Sequence, residues 1–211
     1  MASYKLVYFD LKGRAEAIRI LFKLANQPFE DKRIEFSEWP ELKSKTPFHK
    51  LPMLEFTENS RTQVIPQSNS IVRFVAERFG LCGANDLEKA QCDAISEQVR
   101  DIFDSLVNIY LIKDNDEKNR SLDKALSESV PNGFKLIQNI LESNQSGFLV
   151  GDKITYADVV LLISYEWLRD RKDEVLAKLP ALKKHNDMIC SIPVIAKHLE
   201  ENKNVRLTIL F

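Results

Sequence analysis

The sequence has 211 residues, 44% hydrophobic and 29% charged, with a formal net charge of −1, enough chain to bury one large core or two smaller ones. The balanced charge argues against a general nucleic-acid binder, which needs a basic face, and apolar residues recur too evenly for a disordered chain. The leading MASYKLVYFDLKGR lacks the apolar core of a signal peptide, no stretch has the ~18 apolar residues of a membrane span, and three scattered cysteines (Cys82, Cys92, Cys190) make no disulfide framework, so a cytoplasmic setting is expected.

Leu6 to Phe9 reads as a short buried strand. Ala15, Ile18, Leu21, Phe22 and Ala25 then recur at helical spacing, and Asn26-Gln27-Pro28 stops the helix. FEDKRIEF reads as a second strand, giving strand, helix, strand and hence a parallel βαβ unit. SEWPELKSKTPFHK reads as a short helix and loop. LPMLEF and TQVIPQ, separated by TENSR, read as a hairpin. Ser68 precedes the stripe Ile71, Val72, Val75 and Phe79, which Gly80 closes. Residues 1–80 therefore form an expected α/β domain, with 81–85 (within GLCGAND) as linker.

Beyond the linker the pattern is helical throughout, over 86–211. Leu87, Ala90, Ala94, Ile95, Ile102, Phe103, Leu106 and Tyr110 outline one long helix. Leu122, Leu126, Phe134, Ile137 and Leu141 outline a second, in which Pro131 predicts a kink. Thr155 and Asp158 have the spacing of a capping box at the start of TYADVVLLISYEWL. Two shorter helices are expected near Pro180–Ser191 and Pro193–Glu201.

Several chemistries lack their motif. No CxxC is present, His49, His185 and His198 lack metal-ligand spacing, and neither GxGxxG nor a Walker sequence occurs. No metal and no cofactor is expected.

Three features could carry chemistry. Tyr8 ends a strand of a parallel layout, where ligands gather, with Arg14 just beyond; taken alone, the pair reads first as a core-capping tyrosine and a solvated arginine. Pro52 opens a strand. A cis Leu51-Pro52 bond would turn the Leu51 N–H and C=O outward to a peptide-like ligand, but trans is the ordinary expectation, since cis accounts for about 5–6% of such bonds. Ser68 reads as an N-cap, at a helix terminus that could also hold an anion.

In this order the motifs resemble the cytosolic glutathione transferases. The resemblance rests on YKLVYFDLKGRAEAIR, RIEFSEWPELK, PFHKLPMLE, PQSNSIVRFVAERFGLCG, AQCDAI and GFLVGDKITYADV. Tyr8 together with WPELK is similar to the sigma class, which includes invertebrate transferases and the glutathione-dependent prostaglandin D synthase. The resemblance implies a thioredoxin-like N-terminal domain, an all-α C-terminal domain and a homodimer. It implies catalysis by Tyr8 and Arg14, and glutathione bound by both with Trp39, Lys43, Lys50, Leu51, Pro52, Gln67 and Ser68. Asp101 would reach across the dimer to the glutathione amine. Phe9, Phe103, Val107, Tyr110 and the carboxyl-terminal tail would line the acceptor pocket. Glutathione is then a co-substrate, and hydrophobic electrophiles are conjugated to it.

The sequence departs from the family pattern in places. His49 stands where Gly is usual, Ala17 replaces Pro in AEAIR, and the hairpin TENSRTQVIPQS is longer. Arg100 interrupts the acidic cluster with Glu97 and Asp101 that holds a divalent ion in some prostaglandin synthases. Alternatives are a prostaglandin D synthase-type isomerase, a non-catalytic binder of haem or lipophilic ligands, and a crystallin-like structural relative.

Overall fold

The strands β1 (Ser3–Phe9), β2 (Glu30–Ile34), β3 (Met53–Glu58) and β4 (Arg61–Pro66) form one mixed sheet in the order β2-β1-β3-β4. β1 and β2 run parallel, as the βαβ reading requires, while β3 lies antiparallel to both β1 and β4. The computed structural model describes residues 2–207. It divides into two units, one running to Leu81 and resumed at Pro193, the other spanning Cys82–Ile192.

In the first unit, α1 (Glu16–Leu24) crosses over between β1 and β2, and α2 (Trp39–Lys43) and α3 (Ser68–Arg78) follow their strands. Alternation along β1 separates two layers. Tyr4 and Leu6 are buried on one side, where the Tyr4 ring meets Phe22 of α1 at 5.2 Å. Val7 points the other way and joins Ile34 and Met53, with Phe9, Trp39, Leu42 and Leu51 packed against them. The hairpin strands run further than the sequence suggested, to a turn at Asn59-Ser60, both at positive φ (51° and 60°). Such residues at both turn positions match the strand twist, and paired Thr57 and Thr62 hydroxyls at 2.8 Å tie the added residues.

In the second unit, α4 (Asp86–Tyr110) is the expected long helix, and the Asn85 side chain accepts from the Glu88 N–H at 3.0 Å to cap it. The second predicted helix is two. α5 (Asn115–Lys124) and α6 (Val130–Ser143) are joined by a π-helical turn, Ala125–Ser129. Pro131, in the first turn of α6, has no N–H for the preceding turn and crowds its carbonyls, so the backbone widens there. α7 (Tyr156–Ser164) is buried along nearly its whole length, and α8 (Lys172–Ala177) and α9 (Pro180–Cys190) complete the unit. The start of α7 is the predicted capping box. Asp158 accepts from the Thr155 N–H at 2.8 Å and the Leu149 N–H at 2.9 Å, and pairs with His185 at 2.9 Å.

α10 (Pro193–Glu201) departs from the sequence division, which grouped it with residues 86–211. It packs on α1 in the first unit, where His198 Nε2 meets Glu16 Oε1 at 2.7 Å. The pairing joins residues at opposite ends of the chain, so no local pattern could announce it. Among the described residues no helix is long and apolar enough to cross a membrane.

Candidate active site

The register of the sheet defines one end of the first unit. Val7 pairs with Met53, and Met53 with Pro66. One step beyond that row lie Tyr8, Pro52 and Gln67. Phe9 pairs with Ile34, so β2 ends on the same side and delivers the segment that carries Trp39 and Lys43. The last residues of β1, β2 and β4, the first of β3 and the start of α3 therefore share one edge.

Tyr8 is 8% exposed, and its Oη accepts a hydrogen bond from the Arg14 N–H at 3.2 Å. The phenol's own proton thus stays available for a third group. Burial pushes the Tyr8 pKa above its ordinary value, against the opposing Arg14 N–H and the charges of Arg14 and Arg19. Tyr8 is accordingly a neutral donor at physiological pH. Gly13, at φ 45°, makes this approach possible: a Cβ there would stand 2.6 Å from Tyr8 Oη and 2.5 Å from Leu11. Sequence reasoning passed over Gly13; its place between strand end and helix start was the available signal.

The Leu51-Pro52 bond is cis. The loop before it is shaped by two consecutive left-handed residues, Phe48 at φ 56° and His49 at φ 51°. His49 Nδ1 lies 3.0 Å from the Lys43 carbonyl oxygen, which also accepts from the Thr46 hydroxyl at 2.9 Å. This closes the end of α2 and holds the exposed Lys43 and Lys50 on one short segment. Trp39, half-buried, meets Phe9 edge-on at 5.5 Å, and Phe9 stacks on Phe36 at 4.6 Å.

Ser68 is the first residue of α3 and not its cap. The Gln67 carbonyl accepts the first helical hydrogen bond, from the Ile71 N–H at 3.0 Å, which makes Gln67 the N-cap. Gln67 has φ 72° and ψ 120°, so the turn out of β4 is made one residue earlier than serine's capping preference suggested. A non-glycine residue held at such angles is often found at binding sites.

In the second unit Asp101 is exposed on α4. Phe103, Val107 and Tyr110 follow at helical spacing on one face of it; Phe103 meets Trp167 at 4.3 Å, and burial raises the Tyr110 pKa against the charge of Arg169. Residues 208–211, part of the tail expected to line the acceptor pocket, lie outside the described residues.

Comparison with known proteins decides the family. Residues 4–77 match the glutathione S-transferase N-terminal domain and residues 100–202 its C-terminal domain. Probable glutathione S-transferase 6 of Caenorhabditis elegans is 38% identical over 207 residues, 94% of this chain and 96% of that protein. The chain belongs to the glutathione S-transferase family. Among solved relatives, prostaglandin synthase D of Nilaparvata lugens superposes with a TM-score of 0.83 at 29% identity, over 96% of this chain and 99% of that one. The glutathione S-transferase Na-GST-3 of the hookworm Necator americanus, described as monomeric, gives 0.83 at 32% identity, over 94% and 97%.

In this glutathione transferase the departures noted in the sequence take physical form. His49 adopts the left-handed conformation that glycine adopts without strain and adds a ring bond to Lys43. Arg100 pairs with Asp104 at 3.5 Å. Among the described residues no group of three His, Cys, Asp or Glu side chains is placed to hold a metal ion.

Proposed function

We propose that this transferase binds glutathione at the shared edge of its sheet and lowers the pKa of the thiol through Tyr8. The observation that carries this is the buried, neutral Tyr8 phenol, whose oxygen is already engaged by Arg14 N–H and whose proton is left to donate. A free thiol has a pKa near ~8.5 and is mostly protonated at neutral pH, while the thiolate is the nucleophile. A donor that bonds the anion better than the thiol shifts that balance. The Arg14 charge acts in the same direction. The thiolate then attacks an electrophilic carbon held beside it, forming the thioether and expelling the leaving group, an acceleration that rests largely on proximity.

The remaining contacts follow the sheet edge. Lys43 pairs with the glycine carboxylate of glutathione, beside Trp39 and Lys50. Leu51, before cis-Pro52, offers its backbone to the cysteinyl unit. Gln67, Ser68 and the start of α3 hold the γ-glutamyl carboxylate, as the free N–H groups and dipole of a helix terminus favour. Glutathione is the co-substrate and no other cofactor is required. The acceptor class is hydrophobic, set by Phe103, Val107 and Tyr110 on one face of α4. The enzyme works as a cytoplasmic homodimer in which Asp101 of one protomer serves the other's site.

Prostaglandin isomerisation is the second reading, favoured by the Nilaparvata lugens neighbour; it would use the same thiolate on a different acceptor. Steady-state conjugation of a chromogenic aryl halide tests the first. Wild type should turn over, and Tyr8→Phe should lose about 10²–10³ in rate with little change in KM for glutathione. Equal rates would refute the role of Tyr8.

A further inference from the structure

The loop that carries the Tyr8 partner is held by the far end of the chain. Between β1 and α1 the backbone N–H groups find partners one after another. Asp10 N–H donates to the Ile34 carbonyl at 3.1 Å and Ala15 N–H to the Lys12 carbonyl at 3.2 Å. Arg14 N–H goes to Tyr8 Oη. Of the three between Asp10 and Arg14, Leu11 N–H donates to the Phe9 carbonyl at 2.7 Å, and the other two leave the local segment: Lys12 N–H donates to the Arg206 carbonyl at 2.8 Å, and Gly13 N–H to the Leu207 carbonyl at 2.9 Å.

The carbonyl side of the loop is held from a third place. Arg19 Nη1 donates to the Leu11 carbonyl at 2.9 Å and to the Lys12 carbonyl at 3.3 Å. The same nitrogen meets Glu16 Oε2 at 2.9 Å, and the other Glu16 oxygen meets His198 of α10. From His198 the chain returns to the loop through Asn202, whose N–H donates to the His198 carbonyl at 3.1 Å, and Val205, whose N–H donates to Asn202 at 3.1 Å. Glu16 and Arg19 are no more than 1% exposed, and His198 is 4% exposed. One buried carboxylate thus links the two supports of the loop.

We propose that the segment Val205–Leu207, docked through His198 and Glu16, is a positioning element for Tyr8. The inference rests on the catalytic reading of Tyr8 above. Arg206 and Leu207 act through their backbone carbonyls: they fix the peptides of Lys12 and Gly13, and so the adjacent Arg14 N–H. Gly13 has no room to shift toward Tyr8, since even a Cβ would collide with its oxygen. Freed from the tail, the Lys12 and Gly13 N–H groups turn to water, and the loop carries the Arg14 N–H away from the phenol. A displacement of this kind, about 1 Å, is enough to cost up to about 10²-fold in rate.

The acceptors are backbone carbonyls, so the test shortens the chain. A chain ending at Lys203 removes both carbonyls; a chain ending at Thr208 keeps both as peptide groups. Each is titrated with glutathione alone, without an electrophile, by the ultraviolet absorbance of the bound thiolate. The chain ending at Lys203 should show the bound thiol's apparent pKa raised by about one unit, a tenfold loss of thiolate at lower pH. Its kcat should fall about tenfold or more while KM for glutathione changes less than threefold. The chain ending at Thr208 should titrate as wild type.

A tail that only lines the acceptor pocket would raise KM for the electrophile and leave the binary titration unchanged, which overturns the proposal. A pKa rise as large in the chain ending at Thr208 also overturns it. Should the shorter chain not fold, by circular dichroism, His198→Leu in the full chain decides. Released at its anchor, it should raise the thiol pKa with the fold intact, and a wild-type titration contradicts the proposal. If wild type itself binds no glutathione, the catalytic reading fails first, which is a distinguishable result.

Discussion

Tyr8 and Gly13 work as a pair. Gly13→Ala would place a methyl where the Tyr8 oxygen and the Leu11 side chain already stand, at a φ of 45° that alanine resists. The expected outcome is a fall in kcat of about tenfold or more, from displacement of the Arg14 N–H, with a stability loss of about 1–3 kcal/mol for the strained backbone. Steady-state kinetics and urea unfolding check the two separately. The place of Tyr8 near the end of the strand that Leu6 to Phe9 announces was legible. The buried pairs His185–Asp158 and His198–Glu16 were not. Nothing in the spacing of histidines shows a partner brought in by folding.

At the scale of elements, the strands and helices were read from periodicity, and the differences have local causes. The helix expected across Pro131 is divided by a π-helical turn, because the missing N–H disrupts the preceding turn. Ser68 yields the cap to Gln67 because the backbone reverses there. The capping box at Thr155 was visible in sequence, but its weight was not. Asp158 is fully buried and also holds the Leu149 N–H and His185. Asp158→Ala would leave these donors buried without an acceptor. The expected loss is about 3–5 kcal/mol, larger than a surface cap at about 1 kcal/mol. Urea unfolding measures it, and a loss under about 1 kcal/mol would contradict this account of the α7 start.

Across the whole molecule, the return of α10 to the first unit was the feature least accessible from sequence, since it depends on Glu16 and His198. Burial pushes the Glu16 pKa up, but the His198 hydrogen bond and the Arg19 charge and hydrogen bond outweigh it and hold it below 4.5. A depressed carboxylate stabilises the fold above its unfolded pKa, and that stability is lost as pH falls through the folded value. Glu16→Gln should therefore be less stable than wild type at pH 7, with the difference shrinking as pH falls below about 4.5; an unchanged difference would contradict the linkage. The proposed shared site makes a separate prediction. Mixed subunits of the inactive variants Tyr8→Phe and Asp101→Lys should regain activity, because one site in each heterodimer carries neither change. No recovery despite proven exchange would mean that each chain works alone. The central claim concerns one oxygen, and its most direct measurement is a pH titration of the thiol of glutathione bound to wild type and to Tyr8→Phe. The account predicts a bound-thiol pKa well below the free value of ~8.5 in wild type, returning toward it in the variant. Identical titration of the two proteins, with glutathione bound to both, would contradict it.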